Sequence, residues 1–368
     1  MKKILIVYSP ISQTHLVKRL KMEMTQKGNK IEAFNSNNWM FLNEYKDIPH
    51  IYRFLRFFLS YKWFGIIVQK LFLKNLLLKL SENFDYIDIH YLAKEYIDFL
   101  LLLPKPYKVT IWGSDFYRMK ETEIEGKREC LKKAALIQVE TERVKKDLVK
   151  FEPYLLDKTR VCNFGVDIID DIDRVEQQDC HIKSCDKIIV TCGYNGSEGQ
   201  QHLIMIEALQ KLSEEIRGKI MVYFPMTYGL DMSYRSKIIR ALSKVNYDFK
   251  IFEKRLSDEE LALIRLDTDV VLNIQITDSL SSSLMQHLYA GNVVVVGDWL
   301  PYDFLCDKGI YYKTTSIENI TNTIDSILMN LQFYKKLSSG NKKIVRSISS
   351  WSEVANRQNE IYKELKMN

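Results

Sequence analysis

The stretch KIIVTCGYNGSEGQQH (187–202) decides how the fold is read. A short apolar run, Ile188 to Cys192, ends at a turn carrying Gly193, Asn195, Gly196, Ser197 and Gly199, and a helical pattern starts at Gln200. A buried strand that feeds a glycine-containing turn and then a helix is how a Rossmann-like half begins. Its place in mid-chain gives it weight, because the same order already opens the chain. Ile4 to Tyr8 reads as a strand, Leu16, Leu20 and Met24 follow at helical spacing, and Gly28 stops the helix. An α/β unit is therefore begun twice.

Towards the N-terminus of that stretch, further strands are expected at Ile31–Phe34 and in FDYIDIHYL (84–92), YKVTIWGSD (107–115), AALIQVET (134–141) and TRVCNFGVD (159–167). Beyond it, a helix from Gln200 to Leu212 precedes the strand KIMVYFP (219–225), and a helix over Tyr234 to Val245 precedes FKIFE (249–253). Ser257 with Glu260 forms a capping box for the next helix. DVVLNIQ (269–275), a helix over Ser281 to Tyr289 and NVVVVG (292–297) complete the pattern. The window from Ile168 to Asp186 is rich in Asp, Gln and Lys and reads as a linker. The expected layout is a domain over 1–168, a linker over 169–186 and a second domain over 187–340. Parallel sheets bind ligands at the C-terminal ends of their strands, so a cleft between two facing halves is the default site.

The composition agrees with this layout. A chain of 368 residues suits two domains of similar size. With 46% apolar and 27% charged residues, and only 14 Gly and 7 Pro, disordered, collagenous and low-complexity architectures are excluded. The formal net charge of +6 is too small to argue for a nucleic-acid partner. Six scattered cysteines without a CxxC read as reduced thiols of a cytosolic protein. The apolar start MKKILIVYSP is broken by Ser9, Pro10, Ser12 and Gln13, so a first strand is expected rather than a signal peptide. No run reaches about 18 apolar residues, so no spanning helix is expected. The segment 51–80 stands apart: it carries Arg53, Arg56, Lys62, Lys70, Lys74 and Lys79 among aromatic and aliphatic residues, with no acid. Such a segment suits an anionic membrane surface. The competing reading is a buried helix pair with snorkelling lysines.

Candidate site residues cluster at strand ends. A nucleotide diphosphate needs backbone N–H donors, close approach and a helix N-terminus. Gly193, Tyr194, Asn195, Gly196 and Ser197 offer these, although a plain strand-to-helix turn uses the same residue types. Ser281, Ser282 and Ser283 open a helix just past the strand VLNIQ, and an N-cap explains one of them but not all three. Asp278 beside them would accept from sugar hydroxyls or offset positive charge at an anomeric carbon. Thr227, Tyr228 and Gly229 follow the strand KIMVYFP, where a turn with a packed Tyr is an equal alternative. In the first half, Asp115 of WGSD (112–115) is a candidate general base or acceptor ligand, with helix capping as its alternative. Trp112, Ser114 and His90 are candidate acceptor contacts, and His15 is a weaker one. His181 between Cys180 and Cys185 does not have the spacing of a zinc motif.

The ordered set of segments resembles the GT-B glycosyltransferases, two Rossmann-like domains facing across a cleft. Within that group it is similar to the bacterial envelope-polysaccharide transferases of the Glu-x7-Glu family. FDYIDIHYL, YKVTIWGSDFYR (107–118), LIQVETERVKKDL (136–148), KTRVCNFGVD (158–167), LSDEELALIRLDTDVVLNIQ (256–275) and DSLSSSLMQHLYAGNVVVVG (278–297) carry the likeness. WSEVANRQNEIYKEL (351–365) looks like the closing helix, which implies that 341–368 packs back on the first domain. The motif's first acid corresponds to Asp278 and its second to Gln286, which implies a donor-binding place for Gln286 through its amide. The family's Arg and Lys for the diphosphate are missing from GYNGSEGQQH (193–202). That loop and PMTYG (225–229) resemble the lipid-carrier 4-acetamido-4,6-dideoxygalactose transferases.

The resemblance implies a glycosyltransferase with a nucleotide-sugar donor and a lipid-linked or saccharide acceptor, working on the cytoplasmic face of a membrane as a peripheral protein. No cofactor is expected, and the absence of an Asp-x-Asp triplet suits metal-independent transfer. A retaining reaction needs no separate base, since the leaving phosphate takes the proton. A non-catalytic GT-B scaffold and a nucleotide-sugar epimerase remain alternatives.

Overall fold

The computed structural model describes residues 3–9, 14–36, 65–177, 183 and 185–367. The chain divides into two compact units: Met1–Gly165 together with Trp351–Asn368, and Val166–Ser350.

Unit 1 carries a six-stranded sheet of β1 (Lys3–Tyr8), β2 (Lys30–Asn35), β3 (Tyr86–His90), β4 (Tyr107–Ile111), β5 (Leu136–Val139) and β6 (Thr159–Val161), in the order β2-β1-β3-β4-β5-β6. Every pairing is parallel. Helices cover both faces of such a sheet, and this is why β3 and β4 are buried at every position. Helix α1 (Thr14–Gln26) turns Val17, Leu20 and Met24 inward at the expected spacing. Helix α2 (Gly65–Ser81) places Leu73, Leu76, Leu77 and Leu80 in the core under β3 and β4. Over 73–80 one face of the basic segment is core: its leucines repeat at i, i+3, i+4 and i+7, while Lys79 pairs at the surface with Glu82 at 2.6 Å. Residues 51–64, with Arg53, Arg56 and Lys62, lie outside the described residues. Among the described residues no helix is long and apolar enough to cross a membrane.

Unit 2 repeats the plan with β7 (Ile188–Cys192), β8 (Ile220–Pro225), β9 (Asp248–Phe252), β10 (Val270–Asn273), β11 (Val293–Gly297) and β12 (Lys313–Thr315), ordered β12-β11-β10-β7-β8-β9 and all parallel. Its helices include α3 (Ile169–Gln177), α4 (His202–Gln210), α5 (Asp258–Asp267), α6 (Ser282–Tyr289) and α7 (Asn341–Ser349). From β7 the chain moves to β8 and β9 on one side, then returns to lay β10 against the other side of β7. The loops after β7 and β10 therefore leave in opposite directions. The crevice where they part, at the strands' C-terminal ends, is where open α/β sheets take ligands.

Two boundaries differ from the sequence reading. The expected linker begins as helix α3, which buries Ile169, Ile172 and Val175 against α5 and α6. Its Asp residues dominate the composition, while three apolar residues at helical spacing decide the packing. Residues 178–182, including Cys180 and His181, lie outside the described residues. The return to unit 1 begins at Trp351 and not at 341, because α7 belongs to unit 2: Val345 is in its core and Arg346 donates from Nε to the Tyr289 hydroxyl at 2.8 Å. Helix α8 (Trp351–Met367) then packs Trp351, Val354, Ala355, Ile361, Tyr362 and Leu365 with Ile4, Ile6 and Tyr8 of β1. Gly165 makes the turn possible: a Cβ there would lie 2.2 Å from the Trp351 ring.

Candidate functional site

Three loops meet at the C-terminal ends of β10, β7 and β8. The Gly193 N–H donates to the Leu272 carbonyl at 3.0 Å, the Gly196 N–H to the Tyr228 carbonyl at 2.8 Å, and the Ile276 N–H to the Gly199 carbonyl at 2.9 Å. Gly193, Tyr194, Asn195, Gly196, Ser197, Thr227, Tyr228, Gly229, Asp278 and Ser281 to Ser283 are thereby brought to one end of one sheet. Gly193 has φ +66°, and a Cβ would meet Gln200 Oε1 at 2.9 Å and His202 Nε2 at 3.2 Å. Gly196 has no room either, with Leu230 Cβ at 2.7 Å. The Asn195 side chain accepts the Ser197 N–H at 2.9 Å and closes the turn.

Asp278 stands just past β10 and is firmly held. Its Oδ2 accepts from Gln275 Nε2 at 2.7 Å and from the Tyr302 hydroxyl, and its Oδ1 accepts the Ser279 N–H at 2.9 Å. Burial raises its pKa, and these donors only partly offset that. Tyr302 also accepts from Gln275 Nε2 at 3.0 Å.

The serine cluster divides its work. Ser281 is the N-cap of α6, accepting the Leu284 N–H at 3.0 Å. Ser282 Oγ accepts from Gln286 Nε2 at 3.3 Å, and Ser283 Oγ accepts from Arg265 Nη2 at 3.2 Å. Gln286 Oε1 accepts from Arg265 Nε at 3.1 Å, so the Gln286 amide is occupied inside the unit rather than presented to a ligand.

Arg265 is the residue that the sequence reading missed. It lies on α5 in a helical apolar pattern, LALIRLD (261–267), and nothing in that pattern marks it as functional. It is 4% exposed, forms no ion pair among the described residues, and leaves Nη1 without a partner. Burial lowers its pKa to about 10. Burial of the Tyr228 hydroxyl end raises that group's pKa while Arg265 pulls it down and Asp278 pushes it up, which puts all three groups in one neighbourhood.

Further buried polar atoms here lack partners among the described residues: Gln275 Oε1 and Ser279 Oγ. Burial lowers the His202 pKa to about 4, so its ring is neutral at pH 7. Native interiors rarely leave such atoms unsatisfied. With Arg265 Nη1 there are three such atoms in unit 2 around α6 and the end of β10, and a polar ligand would satisfy them.

His90, Trp112, Ser114 and Asp115 all fall in unit 1, at the ends of β3 and β4. Trp112 stacks on Phe164 with centroids 4.1 Å apart, and His90 lies 6.0 Å from Trp112. Asp115 is buried; its Oδ2 accepts the Leu92 N–H at 2.8 Å and its Oδ1 the Trp112 N–H at 2.9 Å. The carboxylate thereby ties the ends of β3 and β4 together, one amide to each oxygen. Burial pushes its pKa up to about 6 despite those donors.

Neither a protein-family model nor a curated protein matches the sequence. Solved structures do match over the whole chain. The Anabaena protein HepE, crystallised with UDP and glucose, is 13% identical with a TM-score of 0.72, covering 99% of this chain and 100% of its own. A glycosyltransferase from Rickettsia africae is 15% identical with a TM-score of 0.72, over 100% and 99%. Sucrose-phosphate synthase from Thermosynechococcus elongatus is 12% identical with a TM-score of 0.73, over 100% of both chains. With its two parallel six-stranded sheets, the chain has the GT-B fold.

Proposed function

We propose that the protein is a glycosyltransferase that moves a sugar from a nucleotide-diphosphate donor to an acceptor hydroxyl. The observation that carries this reading is the group of unsatisfied buried polar atoms around α6 and the end of β10: Arg265 Nη1, Gln275 Oε1 and Ser279 Oγ. Structures of HepE, which shares the fold, hold UDP and UDP-glucose. A donor of that class would lay its diphosphate beside the loop 193–197 and against the first turn of α6, where the helix dipole favours an anion.

Asp278 would face the sugar. Its charge, fixed by Tyr302, Gln275 and Ser279, would stabilise positive charge at the anomeric carbon as the bond to phosphate lengthens. No separate base is assigned; the departing phosphate would take the acceptor's proton. Transfer would need no metal, the leaving diphosphate being neutralised by protein donors. The acceptor would bind in unit 1, where the Trp112–Phe164 pair offers an apolar face and where Trp112 Nε1 and His90 Nδ1 lack partners among the described residues. A lipid-linked saccharide at the inner face of a bacterial membrane, extended into surface polysaccharide, is the acceptor this reading favours. It is supported by the basic and aromatic composition of 51–72.

The test is to incubate the protein with UDP-, GDP-, dTDP- and CMP-linked sugars and follow nucleotide release and products. One donor should be hydrolysed slowly, and Asp278→Asn should slow this by roughly 10²-fold or more. Donor conversion into an isomeric nucleotide sugar without acceptor would make it an epimerase. No turnover and no binding of any nucleotide would make it a scaffold.

A further inference from the structure

Arg265 poses a problem that the donor site alone does not answer. A guanidinium taken out of water costs several kcal/mol unless an anion accompanies it. Here the companions are neutral: Nε donates to the Gln286 amide at 3.1 Å and Nη2 to the Ser283 hydroxyl at 3.2 Å. Nη1 donates to nothing among the described residues. Both anchors sit in the first turns of α6, so the side chain is fixed in direction while its charge is left uncompensated. Meanwhile the loop 193–202, where a diphosphate would lie, contains no Lys or Arg.

Resting on the nucleotide-sugar reading above, we propose that Arg265 is the cation that binds the donor's diphosphate, and that Gln286 serves to orient it without neutralising it. The fork of a guanidinium suits a phosphate, and Nη1 is the nitrogen left for it. Gln286 is then a positioning residue. It accepts from Nε as a carboxylate would, but adds no negative charge, so the full positive charge stays available to the ligand. A Glu at this place would form a buried ion pair with Arg265 and compete with the phosphate. This differs from the expectation that position 286 contacts the donor itself, under which an acid there would be harmless or helpful.

The experiment is isothermal titration of the full chain with inorganic pyrophosphate and with UDP, GDP and dTDP, beside the phosphate-free nucleosides. It is run on the wild type, Gln286→Glu and Arg265→Met, with thermal unfolding of each. Wild type should bind pyrophosphate and one nucleoside diphosphate. Gln286→Glu should weaken both at least tenfold, leave the nucleoside unchanged, and unfold at the same or a higher temperature. Arg265→Met should bind pyrophosphate too weakly to measure. Should Arg265→Met fail to fold, Gln286→Glu decides alone, since it keeps the arginine. A folded Gln286→Glu protein that binds diphosphates like the wild type would overturn the inference and leave the donor reading standing. Wild-type binding of pyrophosphate without any nucleotide would sink the donor reading and keep the anion site. Binding of neither would end both.

Discussion

Each unit buries a lysine or arginine within its sheet-and-helix core, and the two are treated in opposite ways. In unit 1, Lys108 on β4 lies directly across from Asp88 on β3. Its Nζ is 3.0 Å from Asp88 Oδ2 and donates to Thr110 at 2.7 Å and Gln138 at 2.6 Å. Asp88 also meets His90 Nε2 at 3.1 Å and accepts from the Tyr362 hydroxyl of α8 at 2.7 Å. Burial alone would raise the Asp88 pKa, yet Lys108, His90 and Tyr362 together hold it below the usual carboxylate range. In unit 2, Arg265 has no such partner, and the polar atoms near it are left open. A buried cation paired with a carboxylate is architecture; this pair, through Tyr362, clamps α8 to the sheet of unit 1. A buried cation without a carboxylate carries a cost that a bound anion would offset, which is what the proposed donor site supplies.

The sharpest way to break this contrast is Lys108→Met. It would strand a buried carboxylate, and the loss should be about 3–5 kcal/mol in chemical denaturation. Adding Asp88→Asn should recover part of it. If Lys108→Met unfolds like the wild type, the cluster is not the clamp described here. In unit 2 the corresponding change should fall on activity. Asp278→Asn is expected to lower donor turnover by roughly 10²-fold or more, the scale of one lost electrostatic contact to a transition state; unchanged turnover would remove Asp278 from the chemistry.

Asp115→Asn sharpens the comparison through pH. The Asp115 carboxyl, pushed up to about 6 chiefly by burial, keeps its proton in the fold where the unfolded chain has lost it. Its stabilising contribution is complete below the unfolded value near 4 and is lost as pH rises through about 6. The wild type's stability margin over Asp115→Asn should therefore be about 2 kcal/mol larger at pH 4 than at pH 7, read from denaturation midpoints at both. A margin that grows with pH would mean the carboxyl titrates low instead. Smallest is Tyr362→Phe, which removes one hydrogen bond to a buried carboxylate and should cost about 1–3 kcal/mol with activity retained. A loss of turnover without a loss of stability would contradict a purely architectural role.

What the sequence made legible follows from range. Strand-to-turn units such as 187–197 are written locally, in apolar runs and the glycines that end them, and Gly193 and Gly196 are required by the contacts their missing side chains avoid. Ser281 as N-cap is equally local. The sense of α3 was hidden because composition averaged over its Asp-rich window masks three inward residues. For Asp115 the sequence shows a carboxylate but not the two amides it accepts from, which come from the ends of β3 and β4. Arg265 was invisible for the same reason. Its meaning depends on Gln286 and Ser283, some twenty residues away and joined to it only by the packing of α5 against α6.

The account stands most directly on where a nucleotide docks. Amide hydrogen exchange of the full chain should be measured with and without whichever of UDP, GDP, dTDP or CMP most raises its unfolding temperature. Slowed exchange is expected over 193–201, 226–229 and 275–286, with 86–112 of unit 1 unchanged. Protection confined to 86–112, or no nucleotide that protects any segment, would contradict it.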